Sequence, residues 1–210
     1  MSRIFGIDTP FYRALALFAD LVLVNLAMVV GALPLLTFGP AQRAAAGVTR
    51  GLVRGEGSRP VRSFLGLLPR GWAAATVWWL VSLGCGLLAL YELIVIGRAV
   101  DGVTSVVLSA LVLMGMGLVG GISVWFYPLL DARPAGVAPT LTAAALHSVR
   151  YPFRTLGGVA LYAAPWVVLG VAPGQWSVLL GFYLIIGLGL TQYLLALLTA
   201  EVLHGAVDGD

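Results

Sequence analysis

The chain contains no lysine, and charge of either sign is scarce. Charged side chains are 10% of its 210 residues, against roughly a quarter in a soluble domain, so too little polar surface exists to cover a water-soluble core of this size. Cysteine is nearly absent as well. Cys85 stands alone inside an apolar run, which excludes an intrachain disulfide and a thiolate metal cluster. The two histidines, His147 and His204, have no second histidine or carboxylate at ligand spacing, so no metal site is expected. A Walker A loop, a dinucleotide fingerprint and a serine nucleophile elbow are all missing. The expectation is a protein that is not an enzyme and carries no cofactor.

What is present is apolar. Aliphatic, aromatic and sulfur side chains make up 60% of the chain, and they are gathered into runs long enough for helices to cross about 30 Å of hydrocarbon at 1.5 Å per residue. Five runs meet that length, at residues 12–38, 71–96, 103–130, 155–172 and 176–200. The first is too long for the apolar region of a signal peptide and is expected to be retained. The expected fold class is all-α, a polytopic membrane helix bundle forming a single integral membrane domain over residues 1–210. The links at 97–102 and 173–175 are short enough to make tight helical hairpins.

The two longer connections, 39–70 and 131–154, hold nine of the twelve arginines: Arg43, Arg50, Arg54, Arg59, Arg62, Arg70, Arg133, Arg150 and Arg154. Arginine-rich connections stay on the cytoplasmic side, which predicts an outside N-terminus and a cytoplasmic C-terminus in a bacterial cell membrane. Arg3 and Arg13 oppose this unless they lie in the interface. Arg43, Arg50 and Arg54 fall at i, i+7 and i+11, with Ala41, Ala45, Val48 and Leu52 on the other face, so this segment reads as a helix lying flat on the membrane. Pro60 opens a second short pattern with Val61, Phe64, Leu65 and Leu68, ended by Pro69. A third, weaker one follows Pro139. Arg43, Arg50, Arg54, Arg62, Arg70, Arg150 and Arg154 are therefore expected to face anionic lipid headgroups. With no interleaved aromatics, the basic connections do not point to nucleic acid.

Polar groups within the spans are few, and each has a structural reading beside a functional one. Asp20, Asn25, Glu92 and Gln192 are candidate intramembrane contacts, since buried polar groups in lipid mark pathways or helix–helix bonds. Glu92 can pair with Arg98 or reach water by itself. Gly117 and Gly121 form a small-residue pair suited to close helix approach. The tryptophans mostly fall near span ends, as interfacial anchors do. Pro34 and Pro128 each open a Pro-Leu-Leu string with another proline six residues on, which raises the idea of a parallel duplication.

The strings FGIDTPFYRALALFADLVLVNL, LPLLTFGPA and RSFLGLLPRGWAAATVWWL resemble the YesL family of bacterial membrane proteins, catalogued as domain of unknown function 624. Phe5, Gly6, Asp8, Asp20, Asn25, Pro34, Thr37, Gly39, Pro40 and Phe64 carry the resemblance. Between Phe64 and Trp72 the chain departs from the family, which there has lysines, a second phenylalanine and an asparagine. The resemblance implies a multi-span protein with an accessory role near carbohydrate uptake. The expected partners are the lipid bilayer with its anionic headgroups and membrane transport subunits or further copies of the chain. The rival reading is a small solute transporter or channel formed by a homo-oligomer, with Asp20, Asn25, Glu92 and Gln192 facing a shared path.

Overall fold

A computed structural model describes residues 10–56 and 59–207, with side chains placed for 11–56 and 59–203. Arg3, Phe5, Gly6 and Asp8 lie outside the described residues, as does the His204 side chain. The described residues form helices and no strand: α1 (Pro10–Ala32), α2 (Phe38–Val53), α3 (Pro60–Leu67), α4 (Trp72–Ala99), α5 (Gly102–Ala132), α6 (Val137–Arg150), α7 (Pro152–Val171), α8 (Trp176–Phe182) and α9 (Leu188–Val207). A π-turn, Tyr183–Gly187, joins α8 to α9, and these form one long rod with the 3₁₀ turn Pro173–Gln175 before them. Five helical stretches are long and apolar enough to cross a membrane: α1, α4, α5, α7 and the α8–α9 rod.

Local chemistry sets the breaks. Pro34 has no N–H to continue α1 and restricts the residue before it, so the first span stops at Ala32 instead of running to 38. The Thr37 backbone N–H donates to Pro34 O at 2.8 Å and its hydroxyl donates to the same oxygen at 2.7 Å, closing a turn from which α2 starts. Gly102 has φ +70°, a left-handed conformation that costs glycine little, and it lets α5 leave immediately after α4. Pro128, the proposed counterpart of Pro34, lies inside α5 and does not end it. The two prolines therefore act differently in the two halves.

The helices gather at two ends. The end of α1, the start of α4, the end of α5, the start of α7 and the end of α9 meet α2, α3 and α6 at the arginine-rich end. The α4–α5 hairpin and the short link from α7 to α8 lie at the other, where α7 packs on α5 and α9 and not on α8. Side chains such as Leu87, Leu90, Val106, Leu113, Leu118 and Val167 are exposed along the spans, as a surface solvated by lipid tails requires.

The arrangement of α2 departs from the sequence expectation. It is not a surface helix with a polar face outward. It packs against α1, α3, α4, α5 and α9 and buries residues on every side, among them Ala41, Arg43, Ala44, Ala45, Ala46 and Thr49. Small residues allow this. A Cβ on Gly39 would lie 2.2 Å from Ala75 O on α4, and one on Gly47 would lie 2.7 Å from Asp131 Oδ1 on α5, so α2 sits closer to its neighbours than any larger side chain permits. The short α3 covers the α1–α2 seam with Phe64, fully buried, while Val61 and Leu65 of its predicted apolar face are exposed. In α6, Thr140 and Ala144 are buried and Val149 is exposed.

Two tryptophans also differ from the anchor reading. Trp78 and Trp125 are buried, and their indole N–H groups donate to Ser123 Oγ at 3.1 Å and Thr155 Oγ1 at 2.9 Å. Trp72, Trp166 and Trp176 are exposed. Gly121 is spent within the chain, 3.0 Å from Thr155 of α7 by its would-be Cβ, whereas Gly117 faces open space.

Gly39→Ala should therefore destabilise the fold by about 1–3 kcal/mol through overpacking. Gly84→Ala, where a Cβ meets nothing within 4 Å, should be neutral or slightly stabilising in the same thermal unfolding measurement in detergent.

Candidate functional site at the arginine-rich end

The charged centre of the molecule is built from α2 and the last turn of α5. Arg43 and Arg50, two helical turns apart on α2, both reach Asp131 of α5. Arg43 Nη1 lies 3.4 Å from Asp131 Oδ1, and Arg50 Nη2 forms a close ion pair with Oδ2. Arg43 also donates to Leu67 O at the end of α3, while Arg50 donates to Pro128 O at 3.4 Å. Arg43 is 0% exposed and the Asp131 side chain 5%. One carboxylate between two guanidiniums leaves a net charge of about plus one.

Each partner needs the others. A carboxylate at a helix C-terminus faces the negative end of the helix dipole, and only the two guanidiniums make Asp131 tolerable there. Burial lowers the Arg43 pKa, Asp131 raises it, and Arg70 and Arg50 lower it. Arginine starts so high that Arg43 remains a cation. The Arg43 Nε has no hydrogen-bond partner among the described residues. The cluster is a fixed charge holding α2, α3 and α5 together, and it offers no nucleophile or proton-transfer pair.

A second polar knot lies deeper in the bundle. Asn25 of α1 is 0% exposed. Its Nδ2 donates to Tyr183 O at 3.1 Å and Leu184 O at 2.7 Å, and its Oδ1 accepts from the Gly189 N–H at 2.9 Å. A π-turn displaces the regular i→i−4 bonding, and Asn25 engages backbone groups on both sides of this one. A Cβ on Gly189 would lie 2.6 Å from Leu21 O, which keeps α1 and α9 close enough for the bonds. Further along α9, Gln192 Nε2 donates to Gln42 Oε1 of α2 at 2.9 Å, and the Thr49 hydroxyl lies 3.4 Å from Gln192 O.

The sequence candidates are thus dispersed. Asn25 and Gln192 are buried inside the protomer, Asp20 is partly exposed on α1, and Glu92 is exposed on α4. Glu92 and Arg98 form no ion pair among the described residues, and both are exposed. The structure encloses Arg43 inside the protein, away from lipid, and sets the partly exposed Arg50 against Asp131. Of the remaining arginines proposed to meet headgroups, Arg54 lies 3.8 Å from Glu56. Arg154 donates to Leu198 O at 3.0 Å and pairs with Glu201. Arg150 sits 5.6 Å from the centre of the Tyr151 ring, and Arg62 and Arg70 are exposed.

Asp131, Gln42 and Thr49 were not among the sequence candidates. The signal for Asp131 was present: it is the one carboxylate at the start of a connection rich in arginine, and Arg43 and Arg50 share a helical face that needs a counter-charge once buried.

A bundle of five membrane-length helices, with a further helix enclosed at its charged end, defines a polytopic membrane protein. Residues 21–93 match the family described as "Protein of unknown function, DUF624". That stretch, which runs from within α1 into α4, is similar to this family, in keeping with the resemblance read from the sequence. No curated protein and no solved structure matches the chain. The matched segment contains Asn25, Gln42, Arg43 and Arg50, whereas their partners Asp131, Gly189 and Gln192 lie beyond it.

Asp131→Asn leaves two buried guanidiniums without a counter-charge and should cost about 3–5 kcal/mol, against less than about 1 kcal/mol for Arg154→Gln at the exposed pair. Thermal unfolding in detergent measures both. Asn25→Leu keeps the branching at Cγ but removes all three bonds at the π-turn, and should cost about 1–3 kcal/mol in the same assay.

Proposed function

We propose that this chain is a non-enzymatic protein of the bacterial cell membrane that works by binding, as an accessory or regulatory component of membrane transport machinery. Carbohydrate uptake is the system its family resemblance favours. Its arginine-rich end faces the cytoplasm, in line with the positive-inside rule, which puts the N-terminus outside and the C-terminus inside. Anionic headgroups surround that end.

The observation that carries this reading is the fate of the polar groups inside the bundle. Asn25 is saturated by the π-turn and Gln192 is bonded to Gln42, so neither is free to replace the hydration shell of a passing solute. A small cavity among α2, α5 and α9, beside Arg50 and Gln192, holds about one water at most. A larger opening lies between α2 and α3 at the arginine-rich end. A path shared between copies of the chain would have to use Asp20 and Glu92 alone, because Asn25 and Gln192 point into their own protomer. The buried Trp78 ring stacks on Phe126 and the buried Trp125 ring packs against His147 and Tyr151, so neither presents a face to a sugar.

Purification from native membranes in mild detergent after crosslinking, followed by identification of bound proteins, tests the proposal. Recovery of membrane transport subunits is expected. Recovery of the chain alone, together with solute flux in reconstituted liposomes above that of empty vesicles, would favour the transporter reading instead.

A further inference from the structure

The groove between α2 and α3 encloses about 680 Å³, and no role in the fold explains the polar part of its lining. Arg59 and Arg70 both border it, as does Ser63, and all three are exposed. Neither guanidinium has an ion pair or hydrogen-bond acceptor among the described residues, and the Ser63 hydroxyl is likewise free of a protein partner. Arginines with alternatives take them in this molecule: Arg43 and Arg50 share Asp131, and Arg154 takes Glu201. The one acid on the groove, Glu56, lies 3.8 Å from Arg54.

Beneath the groove, Gly47 is in contact range of Asp131, so the cluster of Arg43, Arg50 and Asp131 adds its surplus positive charge from behind. Arg70 is close enough to be felt electrostatically by both Arg43 and Asp131. The groove therefore carries about three uncompensated positive charges, two of them on free guanidinium forks suited to phosphate oxygens. Its apolar wall includes Leu52, Leu67 and the edge of the nearly buried Val48, surface that a bare inorganic ion leaves in water. The volume is that of a small-molecule site. Gly66 opens the rim, since a Cβ there would meet nothing within 4 Å.

We propose that this groove binds a phosphate ester, with the phosphate held by Arg59, Arg70 and Ser63 and the organic part lying on Val48, Leu52 and Leu67. Two sources present that chemistry: the headgroup of an anionic phospholipid, and a soluble phosphate ester. The site does not depend on the accessory-subunit reading, because it requires no partner protein.

The test uses the full chain purified in neutral detergent. One arm measures phosphatidylglycerol retained in native mass spectra after exchange from nanodiscs containing that lipid in phosphatidylcholine. The other titrates glycerol 3-phosphate by calorimetry. Saturable binding is expected in at least one arm, and the arm that responds identifies the source. Each arginine near an anionic group is worth about fivefold in affinity, so Arg59→Gln with Arg70→Gln should weaken binding roughly 25-fold. Gly66→Glu, which fits the open space, should repel the phosphate and remove binding. Arg62→Gln, on α3 but off the groove lining, should change affinity less than about twofold. Absence of saturable binding in both arms overturns the proposal, and so does binding that survives either the double substitution or Gly66→Glu in a folded protein.

Discussion

The ion cluster of Arg43, Asp131 and Arg50 is the constraint on which the arrangement of this molecule depends. Two cations on one helix share a carboxylate that its own helix dipole disfavours, and all three are withdrawn from water. Isolated, each would be very costly to bury. Together they tie α2 to the last turn of α5, because both arginines share the one carboxylate there. The glycines follow from that placement: Gly39 and Gly47 have no room for a side chain once α2 is drawn against α4 and α5.

An enclosed α2 changes what the rest of the bundle has to do. Helix association in lipid lacks the hydrophobic driving force available in water, so polar bonds and close packing carry it. The chain uses both at two levels. Near the charged end the ion cluster joins α2, α3 and α5. Deeper in, Asn25 ties α1 to the π-turn before α9, and Gln192 ties α9 to α2. Apart from these knots and the indole bonds of Trp78 to Ser123 and of Trp125 to Thr155, the spans face outward with aliphatic side chains. A molecule built in this way has its chemistry concentrated at one end, where the α2–α3 groove opens.

The fold class and the number of spans were legible because they rest on length and composition, which a single sequence displays in full. The span boundaries at Trp72 and Gly102 were within a residue of the apolar runs, while that at Ala32 was missed because an apolar run continues past the proline that ends the helix. The position of α2 was not legible. Its arginines at i, i+7 and i+11 give the same pattern whether they meet headgroups or a buried aspartate, and only Asp131, 88 residues from Arg43, separates the two cases. Likewise Asn25 announces a helix-to-helix bond without naming its acceptor. That acceptor is backbone at the π-turn, and nothing in the Tyr183–Gly187 string signals an extra residue in the turn.

The most direct test of this account is a double-mutant cycle between Arg43→Met and Asp131→Asn, with unfolding free energies measured in the same detergent. If the buried ion cluster holds α2 in place, the two substitutions are strongly non-additive, with a coupling of about 1–3 kcal/mol. Additivity within about 0.5 kcal/mol would mean that Arg43 and Asp131 act independently, which contradicts a shared ion cluster.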